Sequence, residues 1–341
     1  MRILLIYPGA TWSPYDVATG YEAALRALGH EVFVFNYHTE YEYTGGYLAH
    51  LSRDRGLTFP ADAARVLASE RVTIAIVDRR PDVILNVMGF SLHQRAYVHA
   101  HILGVPMAVI LTESPYADKQ QADMLRRNAV AMAFTNDRSS VLSLAVASGA
   151  QIHYLPHSFN PGRHYPHQVN GDYGTDVFFY GTLWPERKAL LDQLDLSAYN
   201  ASVGLTLFDR ESGEMPKVIE NDDMTLWYSG TKVALNHHRT VLGDGSGYVV
   251  DPYSLGPRAF EISACGAFQL CDDARPELAE VFGDSVATYH DADDLQGKIG
   301  YYLSHDAERR EMAVAALDAV QPCSFVNRAR EIVVPALEGL V

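Results

Sequence analysis

The sequence predicts an α/β protein made of two consecutive halves, each a parallel sheet wrapped by helices. Short apolar runs rich in Val, Ile and Phe alternate with helical stretches from the start of the chain. An aperiodic segment at 158–175, holding Pro, Gly, Asn and His, interrupts the alternation, which then restarts. The 341 residues suit two domains of roughly 150–170 residues each.

The run 3–7 is a first buried strand, followed by a turn-rich stretch at 8–14. A helix then places Tyr21, Ala24, Leu25 and Leu28 on one face and stops at Gly29. Strand 32–35 follows. Residues 38–58 are aromatic and polar with a Gly45-Gly46 pair, and read as a long connection. Residues 61–79 read as a helix, with Ala68, Val72, Ala75, Ile76 and Arg79 sharing a face. Strands at 83–87, 106–111, 131–134 and 152–155 complete the first sheet, with helices at 94–103 and 139–148 between them.

In the second half the strands are 176–180, 201–208, 232–236, 268–271 and 285–288. The helices are 185–194, 222–229, 257–264 and 276–282, and the chain is mainly helical from 293. The expected division is 1–168, then 169–320, with 321–341 a C-terminal helix packing back on the first domain. Two α/β halves about a linker make a cleft the natural binding place, since open α/β sheets bind ligands beyond the carboxyl ends of their strands.

Composition narrows the class. With 48% apolar and 20% charged residues the chain is globular. It contains no run of about 18 uncharged apolar residues, so no membrane span is expected. The five-residue apolar start runs directly into a Pro-Gly turn, which fits a buried strand rather than a secretory signal. Three cysteines, all in the last quarter, argue against a disulfide framework and for a cytoplasmic protein. The net charge of −15 disfavours a large nucleic acid as partner, because phosphate contacts call for a basic field.

The densest chemical signal runs from Gly256 to Asp272, GPRAFEISACGAFQLCD. A helix opening at Ser254, Leu255 and Gly256 offers unpaired N–H groups and a positive dipole end to a phosphate. Arg258 sits in its first turn, and Glu261 is placed to accept from paired sugar hydroxyls. An ordinary surface carboxylate and a plain loop glycine fit the spacing as well. Neither GxxxxGK[ST] nor GxGxxG after the first strand is present.

A second block, Ala234-Leu235-Asn236-His237-His238-Arg239, ends a strand in polar and cationic groups. Adjacent histidines on extended chain point apart, and no third ligand stands at supporting spacing, so no metal is expected there. A polar loop capping the sheet is the bland alternative. Arg187 and Lys188 follow the turn at Gly181 and could neutralise a diphosphate leaving group; a solvated helix start of sequence PERK reads equally well. In the first half, Glu113, Asp118 and Asp137 lie just past strand ends. Such carboxylates serve as general bases or as helix caps. His157 is another strand-end polar group.

These blocks, taken in order, resemble the CgeB-like glycosyltransferases, a branch of the GT-B superfamily near glycosyltransferase group 4. The likeness runs through Leu28-Gly29-His30-Glu31-Val32, Thr135-Asn136-Asp137, Tyr154-Leu155-Pro156-His157, Tyr180-Gly181 and Ala234-Leu235-Asn236 with Arg239. It is strongest at Arg258-Ala259-Phe260-Glu261 and Ala264-Cys265-Gly266, with Tyr301-Tyr302-Leu303 downstream. The resemblance implies a GT-B fold, two facing Rossmann-like domains with a cleft between them. It also implies a nucleoside diphosphate sugar donor, a uridine or guanosine one, with no obligatory metal or other cofactor. By the same resemblance Glu261 meets the ribose hydroxyls, residues 254–256 meet the diphosphate, and Arg187 or Lys188 is the basic residue behind the glycine turn.

One position departs from the pattern. Group 4 enzymes place a second glutamate eight residues before the one matching Glu261, where this chain has Tyr253. A tyrosine does not accept a sugar hydroxyl as a carboxylate does, so the sugar contact differs, and anomeric retention no longer follows. A DNA-modifying glycosyltransferase acting on a hydroxylated base, a sugar-nucleotide epimerase and a non-catalytic sugar-binding protein share parts of this signature. The acceptor and the oligomeric state are not legible.

Overall fold

In the computed structural model the first half forms six strands, β1 Arg2–Tyr7, β2 Glu31–Asn36, β3 Val83–Val87, β4 Met107–Ile110, β5 Met132–Thr135 and β6 Gln151–Tyr154. The structure describes residues 1–8, 13–205, 219, 221–242 and 248–341. The strands run parallel in the order β2-β1-β3-β4-β5-β6. Between them lie α1 Ser13–Ala27, α2 Tyr37–Arg55, α3 Ala63–Arg79, α4 Gln94–Ile102, α5 Asp118–Arg127 and α6 Ser140–Ser148.

Helices cover both faces of this sheet, which is why its central strands are continuous apolar runs rather than alternating ones. On β1, Ile3, Leu5 and Tyr7 face α1, while Leu4 and Ile6 face a core built from α3 to α6. Full burial of each such side chain stabilises by about 1.5–3 kcal/mol.

Residues 38–58 are not a connection. All but the last three of them belong to α2, whose Asn36 cap accepts from the Thr39 N–H at 3.2 Å and whose stop is Gly56 at φ +65. Only Tyr37, Thr44 and Leu48 are buried, a stripe too narrow to leave an apolar period in the sequence. The crossover before β5 likewise contains a helix, α5. The predicted strand 201–208 is seen over Ala201–Leu205, its last residues lying outside the described ones; so does most of the turn before α1.

The second half carries β7 Val177–Gly181, β8 Ala201–Leu205, β9 Val233–Asn236, β10 Gln269–Asp272 and β11 Ala287–Tyr289, parallel in the order β11-β10-β9-β7-β8. Its helices are α7 Pro185–Leu191, α8 Asn221–Gly230, α9 Pro257–Ala264, α10 Glu277–Phe282, α11 Ala292–Ser304 and α12 Asp306–Val320. Phe178 and Phe179 point to opposite faces, the first towards α8 and α9, the second towards α11 and α12. The chain thus has two parallel sheets, each flanked by helices, as in the GT-B architecture of two Rossmann-like domains.

The first unit comprises Met1–Pro156 and Phe325–Val341, and the second His157–Ser324. The returning segment holds α13 Phe325–Arg328, a π-helical turn Ala329–Val333 and α14 Val334–Glu338. Phe325, Ala329, Val333 and Leu337 bury against α1 and β1, and the Phe325 ring meets Tyr21 edge-on at 5.0 Å. No described helix is long and apolar enough to cross a membrane.

Candidate functional site

The carboxyl ends of β7, β9, β10 and β11 bring Gly181, Asn236, Asp272 and Tyr289 to one edge of the second sheet. The segment preceding α9 belongs to the same edge. Gly256 is the N-cap of α9 at φ −76, ψ 163; it makes no side-chain cap, and Pro257 occupies the first turn. The helix therefore starts without a capping side chain, the condition for an anion to interact with its amides.

Ser254 and Leu255 are buried, and the Leu255 N–H donates to Glu277 Oε2 at 2.7 Å. Glu277, itself 2% exposed, thus fixes the approach to α9 from the start of α10. Tyr253 turns the other way and donates its hydroxyl to Glu280.

Arg258 and Glu261 stand three residues apart on α9, spacing that puts them on one face. Both lie beside the Tyr228 phenol, which burial holds well above its usual range while Arg258 pulls it down and Glu261 pushes it up. The Arg258 guanidinium also lies over the Phe179 ring, 5.5 Å from its centre, and against Gly181. Gly181 has φ +154, a conformation that L side chains rarely adopt.

The two cations after Gly181 separate. Arg187 is buried and donates through Nε to the His237 carbonyl at 2.8 Å and through Nη1 to the Thr182 carbonyl at 3.0 Å. Lys188 is exposed and pairs with Asp192 at 2.6 Å on the outer face of α7. One residue along a helix is a rotation of about 100°, so the pair does not converge on one phosphate. Arg239 packs its guanidinium over the Trp184 ring at 3.9 Å and donates to the Val241 carbonyl at 2.7 Å.

Asn236 does not face outward. Its amide donates to Gln269 Oε1 at 3.2 Å, which ties β9 to β10 inside the sheet. His237 and His238 do not diverge as extended chain would have them: their Nδ1 atoms lie 3.7 and 2.9 Å from the same Asp272 Oδ2. His237 Nδ1 meets the Tyr289 hydroxyl at 2.9 Å, whereas His238 Nδ1 meets Asp272 Oδ2 at 2.9 Å, and the same oxygen accepts the His238 backbone N–H.

Burial lowers the pKa of both imidazoles against the opposing pull of Asp272. Asp272 is held ionised well below the usual carboxylate range, because His238 and the hydrogen bonds outweigh its burial. His238, Cys271 and Asp272 place ligand-type atoms within 4.8 Å of one another. Asp272 Oδ2 already accepts two hydrogen bonds there, and burial keeps the Cys271 thiol protonated, so the group reads as a hydrogen-bonded cluster.

The candidates outside this edge are dispersed. Glu113 follows β4 in the first unit, where its N–H donates to Gln121 at 3.2 Å. Asp137 is buried and accepts from the Ser139 N–H at 2.9 Å, a turn-capping role ahead of α6. Burial raises the Asp118 pKa against the nearby Ser140 and Ser114 hydroxyls. His157 opens the second unit. Sequence reasoning assigned no role to Asp272, Tyr289 or Glu277. The available signal was their position at, or just past, the ends of strands neighbouring the Asn-His-His-Arg block.

Residues 173–333, nearly all of the second unit, match the family described as "Glycosyl transferase-like". The chain is 24% identical over 253 residues to the spore protein CgeB of Bacillus subtilis (strain 168), covering 69% of this chain and 76% of the relative. The crystal structure of Anabaena HepE in complex with UDP and glucose superimposes with a TM-score of 0.63, at 13% identity, over 99% of this chain and 100% of that one. A glycosyltransferase from Rickettsia africae ESF-5 gives 0.65 at 12% identity, over 99% and 98%. The chain has the GT-B fold, and its second half carries a glycosyl transferase-like segment. The matched segment contains the whole strand-end cluster from Gly181 to Tyr289, and excludes Glu113 and His157.

Proposed function

We propose that the protein is of the CgeB-like branch and transfers a sugar from a nucleoside diphosphate sugar to an acceptor hydroxyl, with the donor held at the carboxyl edge of the second sheet. The observation that carries this reading is the open start of α9, with Glu261 one turn inside it, in the segment that matches the glycosyl transferase-like family. HepE, of like fold, was crystallised with UDP and glucose, which favours a uridine diphosphate donor.

Each group at the edge has a task in this chemistry. The amides of α9 face the diphosphate, and Glu261 accepts from the ribose hydroxyls. As the anomeric C–O bond breaks, its electron pair stays on the phosphate oxygen, and the leaving diphosphate gains charge. Arg187, Arg239 and Arg258 supply fixed positive charge along that edge, Arg187 oriented in advance by its two carbonyl contacts. Groups fixed before the reaction stabilise developing charge without reorganising. The first unit supplies the acceptor side in this reading, with Glu113 or Asp118 as the base. No step in the scheme needs a metal ion.

A thermal-shift screen over nucleotide sugars, followed by assay of nucleoside diphosphate release with and without sugar acceptors, tests the proposal. A ligand that binds only the folded state raises apparent stability, so UDP- or GDP-sugars should raise Tm, and release should depend on acceptor. An epimerised donor formed without acceptor, or no stabilisation by any nucleotide sugar, contradicts it.

A further inference from the structure

His238 is 5% exposed, and its Nε2 is buried with no hydrogen-bond partner. A buried polar nitrogen left unpaired costs about 1–3 kcal/mol, so its position calls for an explanation. The opposite ring nitrogen is fixed: Asp272 accepts from Nδ1, so in the neutral ring Nε2 carries the lone pair. The ring edge that bears Nε2 faces the start of α9, with Cδ2 at 3.7 Å from where a Gly256 side chain would begin. An uncapped helix start and a buried, unpartnered ring nitrogen thus meet at one glycine.

We propose that His238 takes up a proton at Nε2 when a nucleoside diphosphate binds at the N-terminus of α9, and then donates that N–H to a phosphate oxygen. The inference rests on the donor site proposed above. The proton comes from solvent; the lone pair of Nε2 becomes an N–H bond, and the imidazolium lies between the Asp272 carboxylate and the phosphate. Without ligand the ring stays neutral, since burial and the positive charges of Arg275 and Arg187 outweigh Asp272, with Cys271 neutral beside it. A bound diphosphate adds the negative charge that reverses this balance. During transfer the same N–H stabilises the departing diphosphate, so His238 belongs among the groups that touch the reacting ligand.

The test is calorimetric titration of the full chain with UDP at pH 8, where the terminal phosphate of the nucleotide is already ionised, in buffers of different ionisation enthalpy. Wild type should take up protons on binding, and its affinity should fall with rising pH by up to about tenfold per unit, the limit for one linked proton. His238→Gln should bind more weakly, with no uptake and no pH slope. Gly256→Ala keeps an allowed backbone, at φ −76, and puts a methyl 3.7 Å from Cδ2, between the ring edge and the ligand's approach; it too should bind weakly with reduced uptake, and keeps the test available if His238→Gln fails to fold. UDP binding without uptake in wild type, or with uptake unchanged in the variants, overturns this inference and leaves the donor site standing. No binding of UDP or GDP overturns both.

Discussion

The guanidinium of Arg258 lies against Gly181, in the space that a side chain at that position would enter. The turn after β7 and the first turn of α9 are therefore built to fit one another, although 77 residues separate them in the chain (258 − 181). Gly181→Ala should displace Arg258 from its seat over Phe179 and strain the backbone at φ +154. The expected loss is about 1–3 kcal/mol of stability, read by urea denaturation. A variant as stable as wild type would show that neither constraint operates.

Arg187 and Lys188 should behave differently under the same substitution. Arg187→Ala leaves two carbonyls of the sheet edge without their donor and removes a cation, so both stability and turnover should fall, turnover by about 10²–10³. Arg187→Lys should recover little, since an ammonium cannot reach two carbonyls in one plane. Lys188→Ala removes only a surface pair, worth no more than about 1 kcal/mol, and should leave turnover intact. Denaturation curves beside saturation kinetics separate the two residues, and a larger defect in Lys188→Ala would reverse the assignment.

Glu277 holds Leu255 in place before α9. Glu277→Ala leaves a buried N–H unpaired and should cost about 1–3 kcal/mol while weakening nucleotide binding. Glu277→Gln keeps an acceptor oxygen and should retain most of both. Equal defects in the two variants would place the role of Glu277 in its charge rather than in this contact.

His164 gives a pH prediction. Burial, aided by Arg163 and His167, lowers its pKa to about 3, and its Nδ1 accepts the Asn160 N–H at 3.0 Å. The unfolded chain titrates this ring near 6.5, so protonation favours unfolding. The stabilising contribution is complete above about pH 6.5 and is lost as pH falls from there towards 3. Wild-type stability should therefore start to decline below about pH 6.5, and His164→Asn should remove part of that slope. Parallel slopes for the two proteins between pH 7.5 and 5 would contradict this.

What the sequence made legible follows from local signals. The strands of both sheets are apolar runs bounded by turns, and the stops at Gly29 and Gly149 carry the positive φ that only glycine takes easily. The helix α2 was hidden because three buried residues in nineteen leave no period to read. The pairing of His238 with Asp272 spans 34 residues and exists only because β9 and β10 are neighbours, which composition cannot show. Asn236 looked like a ligand by its place at a strand end, yet the amide of Gln269 on the next strand takes its side chain into the sheet.

The most direct test of the central claim is calorimetric titration of wild type and Glu261→Ala with UDP in EDTA. Wild type should bind without metal, and Glu261→Ala should fold normally yet bind more weakly by about 1–3 kcal/mol, the scale of a hydrogen bond to a charged group. Equal affinity of the two proteins, or wild-type binding that returns only when magnesium is restored, would contradict it.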